Sequence, residues 1–222
     1  MAIRTFLPLI SGILWTIVYL DSIRVGIKDK SYAMPLWALG LNIAWELIYA
    51  ILGYQHSGLD MQTVINGIWF LFDIGLVYTY FRYGRKYFPQ NVKPGWFPLW
   101  GALVIAVSFL IQVTFLKEFT YAAAPAYSAF LQNLLMSVLF IVMLIQRNSS
   151  EGQTMLIAVS KFLGSLAPTI LIGIIGFSAQ SEPSSFILKI GLLMALFDLI
   201  YIWLLSKVKR AEKNRGDSKI LI

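Results

Sequence analysis

Seven apolar stretches follow one another along this chain, at about 6–24, 34–54, 62–84, 96–116, 122–146, 154–178 and 186–206. Each is long enough to cross the hydrocarbon core of a bilayer as a helix, which takes roughly 20 residues. A backbone in lipid must satisfy its polar groups within its own segment, so spans of this length are helices. The pattern predicts an all-α polytopic membrane protein, a single seven-transmembrane-helix bundle over residues 1–206. Composition agrees: of 222 residues 58% are hydrophobic and 13% charged, and the mean hydropathy is +0.72. Soluble globular domains do not have that balance. The breaks carry turn or charge signals, among them Lys28-Asp29-Lys30, Gln55-His56-Ser57-Gly58, Lys117-Glu118 and the segments from Pro89 to Pro94 and from Asn148 to Gly152. None is long enough to hold a second domain. The first run contains Asp21 and has no small-residue cleavage pattern, so it reads as a retained span. Residues 207–222 are polar and basic and are expected to form a disordered tail.

The net charge of +7 is unevenly spread. Counting alternate loops from the C-terminal side collects Arg24, Lys28 and Lys30, then Arg82, Arg85, Lys86 and Lys93, then Arg147 and Lys161, and then the basic tail. The opposite side collects Arg4, Lys117 and Lys189. The positive-inside rule places the C-terminus in the cytoplasm and the N-terminus outside. Basic residues gathered in this way are orientation signals, so no nucleic-acid partner is expected. There is no cysteine and one histidine, His56, so no thiol chemistry, no multi-histidine metal site and no cofactor is expected. Trp37, Trp96, Trp100 and Trp203 stand near span ends, as interfacial aromatics do.

Carboxylates within the spans are the informative residues. Glu46 sits in the middle of the run from Met34 to Tyr54, where an acidic residue costs roughly 2.5–3.5 kcal/mol on insertion scales. Helical offsets of three, four and seven share a face. They align Asn42, Glu46 and Tyr49 in the second span, Asn66, Trp69, Asp73 and Tyr80 in the third, and Met194, Asp198 and Tyr201 in the seventh. At about 1.5 Å per residue, Glu46 lies roughly 12 Å, and Asp73 and Asp198 roughly 17–18 Å, below the outer edge of their spans. The carboxyls therefore share one depth zone. Asn66, Gln132 and Asn133 suit interhelical hydrogen bonding. Glu46 and Asp198 suit it less, since Asn or Gln would join helices at a smaller desolvation cost. The reading expects no Lys or Arg near the midplane to neutralise them. Burial without a cation disfavours the charged form of a carboxyl group, and an acid that keeps its proton at neutral pH can act as a general acid. Trp45, Tyr49, Trp69, Tyr78, Tyr127 and Tyr201 stand beside these carboxyls in sequence, and ring faces attract cations by roughly 0.5–2 kcal/mol each.

The Trp45-Glu46-x-x-Tyr49 helix, the Gln132-Asn133-x-x-Met136-Ser137 run and the Phe197-Asp198-x-x-Tyr201 helix together resemble the small membrane-bound terpene cyclases of fungal meroterpenoid and indole-diterpene pathways and their bacterial relatives. The resemblance covers the chain except its tail. It implies a seven-span cyclase whose two essential acids match Glu46 and Asp198. It also implies that the terminal epoxide or alkene of a prenyl chain is protonated and the resulting cation closes rings. Substrate-binding residues are then expected among Asn42, Trp45, Tyr49, Trp69, Asp73, Asn133 and Tyr201. The chain lacks the aspartate-rich DDxxD pattern that binds magnesium diphosphate, which fits initiation by protonation.

The expected partners are a lipophilic prenylated small molecule entering from the bilayer, and membrane lipids. The expected location is an integral membrane one: the cell membrane in a bacterium, the endoplasmic reticulum in a fungus. Two other classes remain to be weighed. Leu71-Phe72-Asp73-Ile74 echoes Leu196-Phe197-Asp198-Leu199, as a three-plus-one-plus-three helix repeat in a small-solute transporter would. A retinal-type photoreceptor would need a lysine deep in the last span, where Lys189 and Lys207 stand only near the ends.

Overall fold

Local signals in the chain start and stop each helix. Asp60 accepts a hydrogen bond from the Thr63 backbone N–H at 2.8 Å, and Thr154 accepts one from Ile157 at 3.0 Å, so each caps the helix that follows. Gly58 at φ +69° closes one helix, and Asn148, left-handed at φ +46°, closes another. The elements so bounded are α1 (Ala2–Lys28), α2 (Leu36–Ser57), α3 (Met61–Tyr83), α4 (Trp96–Glu118), α5 (Ala124–Arg147), α6 (Met155–Ile170) and α7 (Ser185–Ile220). A 3₁₀ turn, Gly84–Tyr87, follows α3, and a π turn, Leu171–Ile175, extends α6. The computed structural model describes residues 2–178 and 181–220, without the side chains of 216–220. Among the described residues there is no strand, and seven helices are long and apolar enough to cross a membrane.

The helices pack in an order that differs from their order in sequence. α2 packs on α3, α3 on α1, α1 on α6, α6 on α7, α7 on α5, and α5 back on α2. Six helices thus close a ring, and α4 lies against α2 and α5. Buried Val18, Tyr19, Leu39, Leu76, Met136, Phe140, Ile157 and Tyr201 belong to one continuous core contributed by all six ring helices.

Small residues let some of these helices approach closely, as is usual in membrane bundles. A Cβ on Gly191 of α7 would lie 2.1 Å from Thr169 Cγ2 of α6, and one on Gly40 of α2 would lie 2.7 Å from Ser108 Oγ of α4. Pro168 lacks the N–H that would bond to the Gly164 carbonyl one turn back. Ser11 of α1 donates to that carbonyl instead, at 2.8 Å, and ties α1 to α6.

One end of the bundle is laced by charge. The Arg147 guanidinium lies over both the Tyr32 and Tyr87 rings, 4.2 and 4.1 Å from their centres. Glu151 pairs with Lys86 and accepts from Tyr87. The basic stretch expected to be disordered from residue 207 continues α7 as helix to Ile220. Glu212 accepts from the Ser150 backbone at 2.8 Å and also from its hydroxyl, and Lys209 donates to the same hydroxyl at 3.2 Å. These bonds hold that part of the helix against the α5–α6 turn.

Candidate active site

Each ring helix turns at least one polar group inward, and the groups fall into two sets on opposite arcs of the ring. The first set joins α1, α2 and α3. Tyr19 is buried with its ring centre 5.7 Å from Trp69 and 5.8 Å from Phe72. The Asn42 amide nitrogen donates to the Tyr19 hydroxyl and, at 2.9 Å, to Asp73 Oδ2. The Tyr19 hydroxyl also faces the Glu46 carboxyl. Glu46 is 3% exposed and Asp73 0%. Glu46 Oε2 and Asp73 Oδ1 are buried with no hydrogen-bond partner among the described residues. Trp69 closes one side of the set through its indole N–H, which donates to Thr16 Oγ1 at 3.1 Å.

The second set joins α5, α6 and α7. Lys161 and Asp198 are 0% and 1% exposed, and Lys161 Nζ stands 2.8 Å from Asp198 Oδ1 and 2.7 Å from Ser137 Oγ. Ser137 in turn donates to the Asn133 carbonyl at 3.0 Å. One turn beyond Asp198, the Tyr201 hydroxyl donates to Gln153 Oε1 at 2.9 Å. One turn before Ser137, the Asn133 amide donates to Ser165 Oγ at 2.7 Å and joins α5 to α6.

Periodicity aligns Asn42 with Glu46 and Trp69 with Asp73, and the structure places these two helix faces in the same set. Periodicity does not bring in Tyr19, whose position in the first span carries no recognised motif. Lys161 requires a correction. The charge pattern counts it among loop cations and expects no cation near the carboxyls. In the structure it lies seven residues inside α6 and pairs with Asp198. The available signal was its place within the apolar run 154–178. A lone charge in a span needs a partner, and an aspartate in another span is the complementary one. Trp45 and Tyr49 meet with ring centres 4.7 Å apart and planes tilted by 49°, and Trp45 donates to the Pro125 carbonyl at 3.2 Å, so this pair packs toward the start of α5. Tyr78, grouped with the carboxyls by sequence, is 55% exposed and faces outward. Gln62 donates to the Asn66 side chain at 2.7 Å, a bond within one helix.

Two cavities lie away from these sets. One of about 150 Å³ is lined by Tyr32, Pro35, Leu36, Trp37, Trp100, Leu139, Val142, Met143 and Gln146, where α2 begins against α4 and α5. The other, about 210 Å³, is lined by Phe88, Val92, Trp96, Leu99, Trp100 and Leu103. Neither touches Glu46 or Asp198.

Fold and interior together define an integral membrane protein whose helices close around buried acids. The profile of the Pyr4-like transmembrane terpene cyclases matches residues 1–211, and the chain belongs to that family. It is 34% identical over 163 residues to the Pyr4-family terpene cyclase mfmH of Annulohypoxylon moriforme, covering 70% of this chain and 64% of that one. It is 33% identical over 159 residues to the terpene cyclase dpchB of Colletotrichum higginsianum, covering 71% and 65%. It is 25% identical over 224 residues to the terpene cyclase pyr4 of Aspergillus fumigatus, covering 96% and 90%. The first two matches span a little under two thirds of those relatives' lengths. No solved structure matches the chain.

Proposed function

We propose that this protein is a terpene cyclase that starts by protonating the terminal epoxide or alkene of a prenylated lipophilic substrate. Glu46 is the acid. The observation that carries this assignment is the difference between the two buried carboxyls: Asp198 stands 2.8 Å from Lys161 Nζ, whereas Glu46 Oε2 has no partner among the described residues and Asn42, one turn before it on α2, donates to a second carboxyl, Asp73. A carboxyl that faces a cationic partner favours its anionic form and is the poorer proton donor. A carboxyl beside another carboxyl, out of water, is suited to hold one.

The electron pair of the alkene or epoxide oxygen takes the Glu46 proton, leaving a carboxylate on the enzyme and a cation on the substrate. Internal alkenes attack the cation in turn and close rings. A carboxylate in the same interior takes up the last C–H proton, so the net change is an isomerisation. Tyr19, Trp69 and Tyr201 offer ring faces to the cation, and the apolar core excludes water that would trap it. Drug-sized ligands occupy roughly 300–1,000 Å³, so the ring must part to admit a prenyl chain, which enters from the lipid side. The cytoplasm faces the C-terminal end, on the charge distribution, and protease treatment of sealed vesicles reads that orientation directly.

The test is Glu46→Gln in membranes, supplied with a farnesylated phenol carrying a terminal epoxide. Products of unchanged mass and altered retention are quantified by mass spectrometry. General acid catalysis is worth about 10²–10⁴-fold, and a loss of that size is expected. Cyclisation at the wild-type rate by Glu46→Gln refutes the assignment.

A further inference from the structure

Lys161 takes no part in the proposed protonation. It is nonetheless a fully buried ionisable side chain. Two charges taken out of water lose much of their hydration. An Asn or Ser pair would join α6 to α7 at less cost. The bonding around Lys161 is also directional. The Ser137 hydroxyl hydrogen is committed to the Asn133 carbonyl, so its lone pair receives Lys161 and the lysine must be the donor. The second donation goes to Asp198 Oδ1. Asp198 Oδ2 is buried and has no partner among the described residues. The bridge engages the first oxygen and leaves the second without a partner among the described residues. Asp198 stands one turn from Tyr201, and Tyr201 and Tyr19 share the core that α1 and α7 enclose.

We infer that Lys161 is a positioning residue that clamps Asp198 as an oriented carboxylate, so that Asp198 Oδ2 is a fixed anionic pole for the migrating cation of the reaction proposed above. The inference rests on that reaction for the cation, while the clamp itself does not depend on turnover. Charge is thereby divided around the ring: the α1–α2–α3 arc supplies the proton, and the α5–α6–α7 arc supplies the anion toward which positive charge moves. An oriented charge of this kind needs no reorganisation when the cation forms.

The clamp is tested by infrared difference spectra of the full-length protein in lipid nanodiscs, wild type minus Asp198→Asn. The band lost with Asp198 is expected to be a carboxylate stretch in the wild-type background and a protonated carbonyl stretch in a Lys161→Met background. A protonated carbonyl in the wild type, or a carboxylate that survives Lys161→Met, overturns the inference. The role is tested with the epoxyfarnesyl phenol. Lys161→Met is expected to lower kcat about tenfold or more with little change in KM, and to shift the remaining products toward incompletely cyclised isomers. Lys161→Arg is expected to restore much of both. Wild-type rate and product pattern in Lys161→Met overturn the role. If Lys161→Met does not accumulate as folded protein, Lys161→Met/Asp198→Asn, which removes both charges, is compared with Asp198→Asn alone. Full cyclisation by this double variant also overturns the role. A Glu46→Gln protein that still cyclises removes the protonation reading and leaves the infrared result standing, so the two failures are distinguishable.

Discussion

Replacing Tyr19 by Phe removes one oxygen and leaves everything else in place. The ring keeps its packing against Trp15, Trp69 and Phe72, with centres 6.5, 5.7 and 5.8 Å away. Asn42 keeps its bond to Asp73 at 2.9 Å and loses the one to the Tyr19 hydroxyl. A hydrogen bond contributes about 0.5–1.5 kcal/mol net to stability, and the void left is smaller than a methyl group. Asn42 is left with a buried N–H that has lost its acceptor, so the destabilisation is about 1–3 kcal/mol, visible as a fall in the melting temperature of detergent-purified protein. The catalytic cost is larger. Asn42 fills the acceptor side of the Tyr19 hydroxyl, so its single hydrogen is free to point at the Glu46 carboxyl it faces. Donation to one carboxyl oxygen directs the acidic proton to the other and stabilises the carboxylate that remains after transfer. Loss of one such donor is worth roughly 2.7–4 kcal/mol where it supports developing negative charge in a water-excluded site, or about 10²–10³ in kcat. Tyr19→Phe is expected to cyclise the epoxyfarnesyl phenol about a hundredfold more slowly, near the low end of that range. It should melt modestly below the wild type and remain folded at the assay temperature. Turnover within about twofold of the wild type, or an activity loss fully matched by lost fold, refutes the reasoning.

Gly191→Ala places a Cβ 2.1 Å from Thr169 Cγ2 and 2.8 Å from Thr169 Cβ, so α6 and α7 must separate. Overpacking of this kind costs about 1–3 kcal/mol, and the same two helices carry Lys161 and Asp198. A lower melting temperature and slower cyclisation are expected, both relieved by Thr169→Gly; a Gly191→Ala protein that melts with the wild type contradicts the close approach. Glu151 lies in the α5–α6 turn, where partial burial pushes its carboxyl up but hydrogen bonds from Lys86 and Tyr87 outweigh that and hold it below the ordinary value of 4.5. A carboxyl depressed in the folded state stabilises the fold above its unfolded pKa, and that contribution is lost as pH falls through the folded one. Glu151→Gln is expected to lower stability at pH 7 by under about 1 kcal/mol, since the pair is partly exposed. The gap between the two proteins should close in melting curves recorded at successively more acidic pH below 4.5; a gap that widens there contradicts the pairing.

The membrane architecture was legible in the chain because hydropathy is a local property. A run of apolar residues is readable without knowing its neighbours, and the seven runs correspond to the seven helices within about four residues, except that the last helix continues beyond 206 to Ile220. The carboxyls were legible for the same reason: a charge in an apolar run is conspicuous wherever it ends up. The short motifs around Glu46, Asn133 and Asp198 also pointed to the family that the chain belongs to. Helical offsets placed Asn42 on the face of Glu46, and Trp69 on the face of Asp73. What local pattern does not contain is which helices become neighbours. α1 packs on α6, and α5 packs on both α2 and α7, and none of these pairs is adjacent in sequence. That order puts Tyr19 beside Asn42 and Lys161 beside Asp198. The chain alone therefore revealed two buried acids of equal standing. Helix packing made them unequal, because the state of a buried carboxyl is set by the charge across the helix interface, and that charge comes from a segment remote in sequence.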